Sequence, residues 1–136
     1  MSTPAARARA YRETNVASRV AGANPHQLVQ ILFDEALADL AAGRRAAEIR
    51  DYAQKSRHLS HAATIVAALE GCLDHRLGGE LAANLALVYA FVRARILRGA
   101  ARNDLAALDE AAATLAEIAE AWATIQPRPA TTRVAA

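Results

Sequence analysis

The chain has 136 residues, a length typical of one domain that buries its own core. Sixteen basic and fourteen acidic residues leave a net charge of +2, too small and too evenly spread for a nucleic-acid-binding surface. The single cysteine excludes an internal disulfide, and no apolar run of about eighteen residues is present to insert into a membrane, so we expect a reduced cytoplasmic protein.

Alanine dominates the apolar residues, which favours helix throughout the chain. Start and stop signals predict an N-terminal arm at 1–23, four helices within 24–126, and a disordered tail at 127–136. The first helix is predicted at about 25–50, because Asn24, Pro25 and Gln27 match an N-cap, N1 and N3. Gly43 lies inside this helix as a tolerated weak point.

The second helix is predicted at about 52–75, where Asp51 and Gln54 repeat the capping pattern. Gly78-Gly79 is a turn signal, so we expect the third helix at about 80–98, ended by Gly99 and the segment after it. The fourth helix is predicted at about 104–125, starting near Asn103 or Asp104 and stopping before Gln126-Pro127.

Four helices joined by short loops pack most simply as antiparallel neighbours. We therefore predict an all-α protein, an antiparallel four-helix up-down bundle with a mobile or short-helical N-terminal arm. Helical spacing places Leu81, Leu85, Tyr89, Val92 and Ile96 on one core-facing seam of the third helix.

Two of the helices carry more apolar surface than one bundle seam requires. Leu28 and Ile31 lie off the seam of the first helix, and Leu87 and Phe91 project from the opposite side of the third. Three explanations stay open at this point: extra neighbours within the bundle, a homodimer interface, or a groove for the amphipathic segment of a partner.

The polar residues do not form a catalytic constellation. His26 and Asp34 are about 12 Å apart along one helix, so they cannot hydrogen-bond, and a solvated His26 is expected. His58 and His61 have i, i+3 spacing, yet the Glu-x-x-His motif of bundle metal sites is absent, so a partly buried structural His58 is expected. Cys72 is predicted to be buried and inert. We thus expect no catalytic residues, no cofactor and no metal.

Several segments resemble the flagellar export chaperone family called FliS. The resemblance covers about residues 10–127 and is carried by YRETNVASRVAGANPHQLVQILFD, LDHRLGGELAANLALVY, ARNDLAAL and IAEAW, in that order. It implies a four-helix antiparallel bundle with the arm folded over part of it, and a chaperone rather than an enzyme.

The resemblance further implies binding of the disordered C-terminal segment of flagellin in the bacterial cytosol. The chaperone would block premature filament assembly and hand the subunit to the flagellar type III export apparatus. Tyr11 matches the aromatic of the family's arm, and we expect it to cover or border a groove. The expected partner-binding residues are Tyr11, Leu28, Ile31, Leu87, Tyr89 and Phe91. A helical adaptor or homodimerisation module using the same faces remains the alternative, and export-gate or regulatory proteins are further partners that the sequence leaves open.

Overall fold

A computed structural model describes residues 3–125, with the side chains of residue 5 and residues 8–15 excepted. The tail predicted at 127–136 lies outside the described residues. The helices are α1 (Pro4–Ala21), α2 (Pro25–Glu48), α3 (Tyr52–Gly71), α4 (His75–Arg102) and α5 (Leu105–Thr124). The arm predicted as mobile or short-helical is thus a helix of 18 residues.

The helix starts follow local side-chain chemistry. Asn24 accepts from the backbone N–H of Gln27 at 2.8 Å, and the Gln27 side chain accepts from the backbone N–H of Asn24 at 3.0 Å, which confirms the predicted capping box. Asp51 and Asp104 each accept from the backbone N–H three residues on, at 3.2 and 3.1 Å. Asp74 also caps a helix, through the N–H groups of the two residues after His75.

Helices α2 to α5 pack in a closed ring in which α2 contacts α3 and α5, and α4 contacts α3 and α5. Short connections make successive helices antiparallel, so the predicted all-α up-down bundle is confirmed. Helix α1 lies outside the ring and, in the described part of the chain, contacts α2 alone among the helices. Within residues 3–125, no helix is long and apolar enough to cross a membrane.

The core lies inside the ring and draws side chains from all four bundle helices. Its larger buried members are Phe33, Leu40, Leu59, Val66, Leu69, Tyr89, Val92, Ile96, Leu108 and Leu115. Three of the five residues predicted on the seam of the third helix are buried there, and Leu85 packs against the cluster. The prediction for Leu81 is wrong, since this residue is 66% exposed beside a kink in α4.

Two glycines behave differently from the predictions, and a third, Gly43, lies inside its helix as predicted but has a contact that was not foreseen. Helix α4 starts at His75, so the turn predicted at Gly78-Gly79 is instead a kink within the helix. Gly79 has a φ of 50°, which residues with a side chain rarely adopt. Gly99 does not break the helix, which continues to Arg102 and ends at Asn103 in the left-handed region. Gly99 and Gly43 are instead buried contact points between helices.

Close approach of neighbouring helices explains why positions 99 and 43 are glycine. A Cβ on Gly99 would lie 2.2 Å from Leu108 on α5, and a Cβ on Gly43 would lie 2.5 Å from Leu59 on α3. Glycine permits the two backbones to approach, because any side chain would overlap a buried leucine.

One end of the bundle is held by a buried lysine. Lys55 is 7% exposed and donates to the backbone carbonyl of Ala100 at 2.9 Å and to the side-chain oxygen of Asn103 at 3.3 Å. Asn103 in turn donates to the carbonyl of Ala47 at 3.1 Å. These bonds add side-chain donors to carbonyl groups in the last turns of α2 and α4.

Candidate partner-binding surfaces

The first candidate surface is a cleft of about 630 Å³ between α1, α2 and α3, which we name the arm cleft. Six aliphatic residues line it: Val16, Ala17, Val20, Ile31, Leu32 and Ile65. Its polar lining comes from α2 and α3 and consists of Glu35, Asp39, Arg57, His58 and His61. The arm cleft is therefore apolar along α1 and polar where α2 meets α3.

An exposed ion pair joins α1 to α2. Arg19 donates to Asp34 at 2.9 Å, but both side chains are well exposed, and such a pair contributes about 0–1 kcal/mol. Val20 stays 44% exposed although it lines the cleft.

Ile31 and Leu28 occupy different positions relative to this arm. Ile31 is 4% exposed, and it faces α1 across the arm cleft rather than joining the central core cluster. Leu28, one turn earlier on α2, is 38% exposed. The surplus apolar side of α2 that the sequence predicts is thus partly covered by the chain's own arm.

The second candidate surface is the outer side of α4, where Leu87 is 71% exposed and Phe91 is 44% exposed. The guanidinium of Arg95 lies 5.8 Å from the centre of the Phe91 ring. Arg95 also approaches Glu110 of α5 at 4.0 Å, which places Phe91 on the α5 side of the helix. We name Leu87 and Phe91 the α4 patch.

Of the two expected partner-binding tyrosines, only the side chain of Tyr89 is described, and it is buried. Tyr89 is 4% exposed and belongs to the core. Burial, with a smaller electrostatic effect from Cys72, raises the pKa of the Tyr89 phenol to about 12, which favours its neutral form. Tyr11 lies within α1, but its side chain is outside the described residues.

Of the two histidines whose surroundings were predicted, His26 and His58, only His26 differs from the prediction. His26 is not a solvated side chain: its ring stacks on Trp122 with centroids 4.7 Å apart. Trp122 Nε1 donates to the carbonyl of His26, and His26 Nε2 lies 3.0 Å from the carbonyl of Trp122. His58 is partly buried, as predicted, with 14% of its side chain exposed.

Sequence reasoning missed Asp39, which is 1% exposed on α2. Its carboxylate contacts Nδ1 of both His58 and His61 on α3. The i, i+3 histidine spacing was visible, but the spacing alone does not show which acidic residue of a neighbouring helix faces it. Cys72 was also misplaced, because it caps the C-terminus of α3 and is exposed.

No group of three or more His, Cys, Asp or Glu side chains within residues 3–125 is arranged to hold a metal ion. His26 and Asp34 point to different partners, Trp122 and Arg19. What the described geometry provides is one partly covered apolar cleft and one open apolar patch.

Comparison with known proteins gives consistent matches to one family. Residues 7–129 match the family model described as flagellar protein FliS. The flagellar secretion chaperone FliS of Salmonella typhimurium is 40% identical over 121 residues, covering 88% of this chain and 90% of that protein. The flagellar secretion chaperone FliSB of Pseudomonas aeruginosa is 36% identical, covering 82% and 89%, and the Vibrio cholerae chaperone FliS is 33% identical, covering 87% of each.

Proposed function

Because the chain belongs to the FliS family of flagellar secretion chaperones, we propose that it binds the disordered C-terminal segment of flagellin in the bacterial cytosol. In this role it prevents premature polymerisation of flagellin and delivers the subunit to the flagellar type III export apparatus. The observation that carries the proposal is the arm cleft, whose aliphatic residues Ile31, Leu32 and Ile65 lie beside α1, a helix of the same chain.

The arm indicates the kind of segment that the cleft accepts. Val16 and Val20 are one helical turn apart and both line the cleft, so an occupant helix with aliphatic residues at i and i+4 fits the same space. A disordered segment that folds on binding loses conformational entropy but can wrap a large surface. The client displaces α1 and packs against Ile31 of α2 and Ile65 of α3, which line the cleft beneath the arm.

The α4 patch extends the binding surface to the other side of the bundle. Leu87 and Phe91 are four residues apart on α4, which is again the spacing of an amphipathic-helix partner. The arm cleft involves α2 and α3, so a segment that reaches both sites must pass around the bundle. A long disordered client can do this, whereas a compact folded domain cannot.

The proposal includes no catalytic role, since the family chaperones another protein. It assigns Leu28, Ile31, Leu87 and Phe91 to client binding, keeps Tyr11 as an arm residue over the cleft, and gives Tyr89 an indirect part as support beneath the surface.

Light scattering of the purified chain, alone and with the C-terminal segment of a flagellin from the same genome, tests the proposal. We expect a monomer that forms a one-to-one complex with this segment and ignores an N-terminal flagellin segment of equal length. A stable homodimer that ignores the C-terminal segment would contradict the chaperone function and favour the adaptor or dimerisation alternative, with the α4 patch as the shared interface.

A further inference from the structure

The turn between α2 and α3 ends α2 with a Schellman motif. The backbone N–H of Asp51 donates to the carbonyl of Ala46 at 2.9 Å, and the N–H of Arg50 donates to the carbonyl of Ala47 at 3.2 Å. Arg50 has a φ of 58°, in the left-handed region that glycine or asparagine usually occupies at this position. Hydrogen bonds therefore define the shape of the turn, and the turn carries an arginine where glycine would relieve backbone strain.

Two apolar side chains project from this turn. Ile49, the C-cap of α2, is 76% exposed, more than any other large hydrophobic residue in the described part of the chain. Tyr52 begins α3 and is 51% exposed, and its ring centre lies 4.9 Å from Nζ of Lys55. Because two hydrogen bonds to α4 and its C-cap hold the ammonium group of Lys55, the ring rests on a rigid support.

The charge that is not balanced within this turn is positive. The carboxylate of Glu48 accepts from Arg44 at 2.7 Å, and that of Asp51 caps α3. Arg45 is exposed one helical turn before the C-cap of α2 and on the same side of that helix. Neither Arg45 nor Arg50 forms an ion pair with another described residue. We name four exposed residues the basic tip: Arg45, Ile49, Arg50 and Tyr52.

The basic tip lies away from both candidate client surfaces. On α2, the lining of the arm cleft ends at Asp39, about 9 Å along the helix axis before Arg45. On α4, about 18 Å of helix separates Phe91 of the α4 patch from Asn103, whose side chain bonds to the last turn of α2. A client that occupies the arm cleft and the α4 patch therefore leaves the tip accessible.

We propose that the basic tip docks a second protein while the client is bound, and that this protein presents acidic residues around a pocket for Ile49. Arginine and tyrosine are enriched in interface hot spots, and an aliphatic side chain on a rigid turn needs little ordering to enter a pocket. The two arginines without carboxylate partners favour an acidic surface. A membrane surface is disfavoured, because basic lipid-binding segments have about four to eight Lys or Arg residues.

The role of this partner rests on the function proposed above: it meets the loaded chaperone during delivery of flagellin. Flagellin secretion by the chain's own organism, with each variant as the only copy, tests it. Ile49→Asp with Arg50→Glu reverses the character of the tip at two exposed positions, so the helical circular dichroism signal and the affinity for the flagellin C-terminal segment should be unchanged. We expect secreted flagellin to fall by about fivefold or more.

Leu77→Asp with Arg76→Glu is the matched control. It replaces an adjacent exposed aliphatic residue and arginine by the same two acids, near the start of α4 at the other end of the bundle. Secretion should be normal in this variant. An equal loss of secretion in the control would overturn the proposal, because the effect would then come from added negative charge wherever it is placed.

Arg50→Gly separates docking from folding. Glycine removes the side chain together with the strain of the left-handed backbone, so the urea midpoint should be equal to or higher than that of the wild type. Secretion should nevertheless fall. A variant that is at least as stable as the wild type and secretes less flagellin has lost a contact of the Arg50 side chain.

The remaining outcomes distinguish the possible occupants of the tip. Normal secretion by Ile49→Asp with Arg50→Glu would overturn the proposal, and weaker binding of the flagellin segment by this variant would assign the tip to the client instead. Tip-dependent dimerisation in light scattering, or tip-dependent binding to vesicles of equal parts phosphatidylglycerol and phosphatidylethanolamine, would also overturn it. If deleting the chain leaves secretion unchanged, the proposed function is refuted and the role given to the tip fails with it.

Discussion

The substitution Gly99→Ala should destabilise the bundle, although alanine is the better helix former. In an ordinary helix interior, replacing glycine by alanine gains about 0.5–1 kcal/mol. Here the new Cβ would lie 2.2 Å from Cδ2 and 2.4 Å from Cγ of Leu108. Because Cγ is the branch point of a side chain that is 1% exposed, Leu108 cannot avoid the contact by rotating one methyl group.

Relief therefore requires an off-rotamer leucine or a wider spacing of α4 and α5, and overpacking of this kind costs about 1–3 kcal/mol. Since the overlap involves two atoms of one buried residue, we place the cost at the upper end and expect a net loss of about 1–2 kcal/mol in the free energy of unfolding. Gly43→Ala should behave in the same way but more mildly, because its Cβ would lie 2.5 Å from Cδ2 and 2.9 Å from Cγ of Leu59.

Urea denaturation followed by circular dichroism measures the effect, and Gly71→Ala supplies the control. Gly71 ends α3 with no atom of a neighbouring side chain within 4 Å of its Cβ position, so alanine there should be neutral or slightly stabilising. If Gly99→Ala were as stable as Gly71→Ala, close approach of α4 and α5 at Gly99 would not be the reason for the glycine.

Three further predictions concern the other described features. Leu87→Asp or Phe91→Asp should weaken binding of the flagellin segment about tenfold or more and leave the helical circular dichroism signal intact. The control Leu97→Asp, at a 63% exposed leucine on another side of α4, should leave the affinity unchanged. Loss of the fold in the first two variants would place Leu87 and Phe91 in the core. Lys55→Met keeps the apolar stem but leaves buried oxygens without their donor, so urea denaturation should show a loss of about 1–3 kcal/mol, and an unchanged midpoint would mean that the ammonium group contributes nothing. Burial raises the pKa of Tyr89 in the folded protein from 10 to about 12, so between these pH values the folded state keeps the phenol proton that the unfolded state has lost. The free energy of unfolding should therefore be unaffected below pH 10 and should fall between pH 10 and 12. Tyr89→Phe should remove that part of the pH dependence.

Local signals in the sequence were sufficient for most of the fold. Asn24, Asp51 and Asp104 cap helices where predicted, because an N-cap depends on residues within one turn of itself. Periodicity also placed Tyr89, Val92 and Ile96 in the core. These features require no knowledge of which helices are neighbours.

The errors arose where a residue's role depends on another helix. Gly99 was predicted to end a helix, but it lies inside α4, close to Leu108 of α5. Gly43 was correctly predicted inside a helix, but its close contact with Leu59 of α3 was not predicted. The burial of Asp39 was missed for the same reason, since its partners His58 and His61 lie on α3.

The candidate surfaces were predictable only where they depend on the spacing of residues along one helix. Leu87 and Phe91 are exposed, because helical spacing alone separates them from the core seam. Ile31 was correctly placed off the seam, but its burial beside α1 could not be predicted, since the sequence does not show where an arm will lie.

The central claim is that the client takes the place of α1 in the arm cleft, and hydrogen exchange with and without the flagellin C-terminal segment tests it most directly. On binding, amides of α2 around Ile31 and of α3 around Ile65 should become more protected, while amides of α1 around Val16 should exchange faster because the arm is released. A complex in which α1 is equally or more protected, and in which exchange at Ile31 and Ile65 is unchanged, would contradict the account.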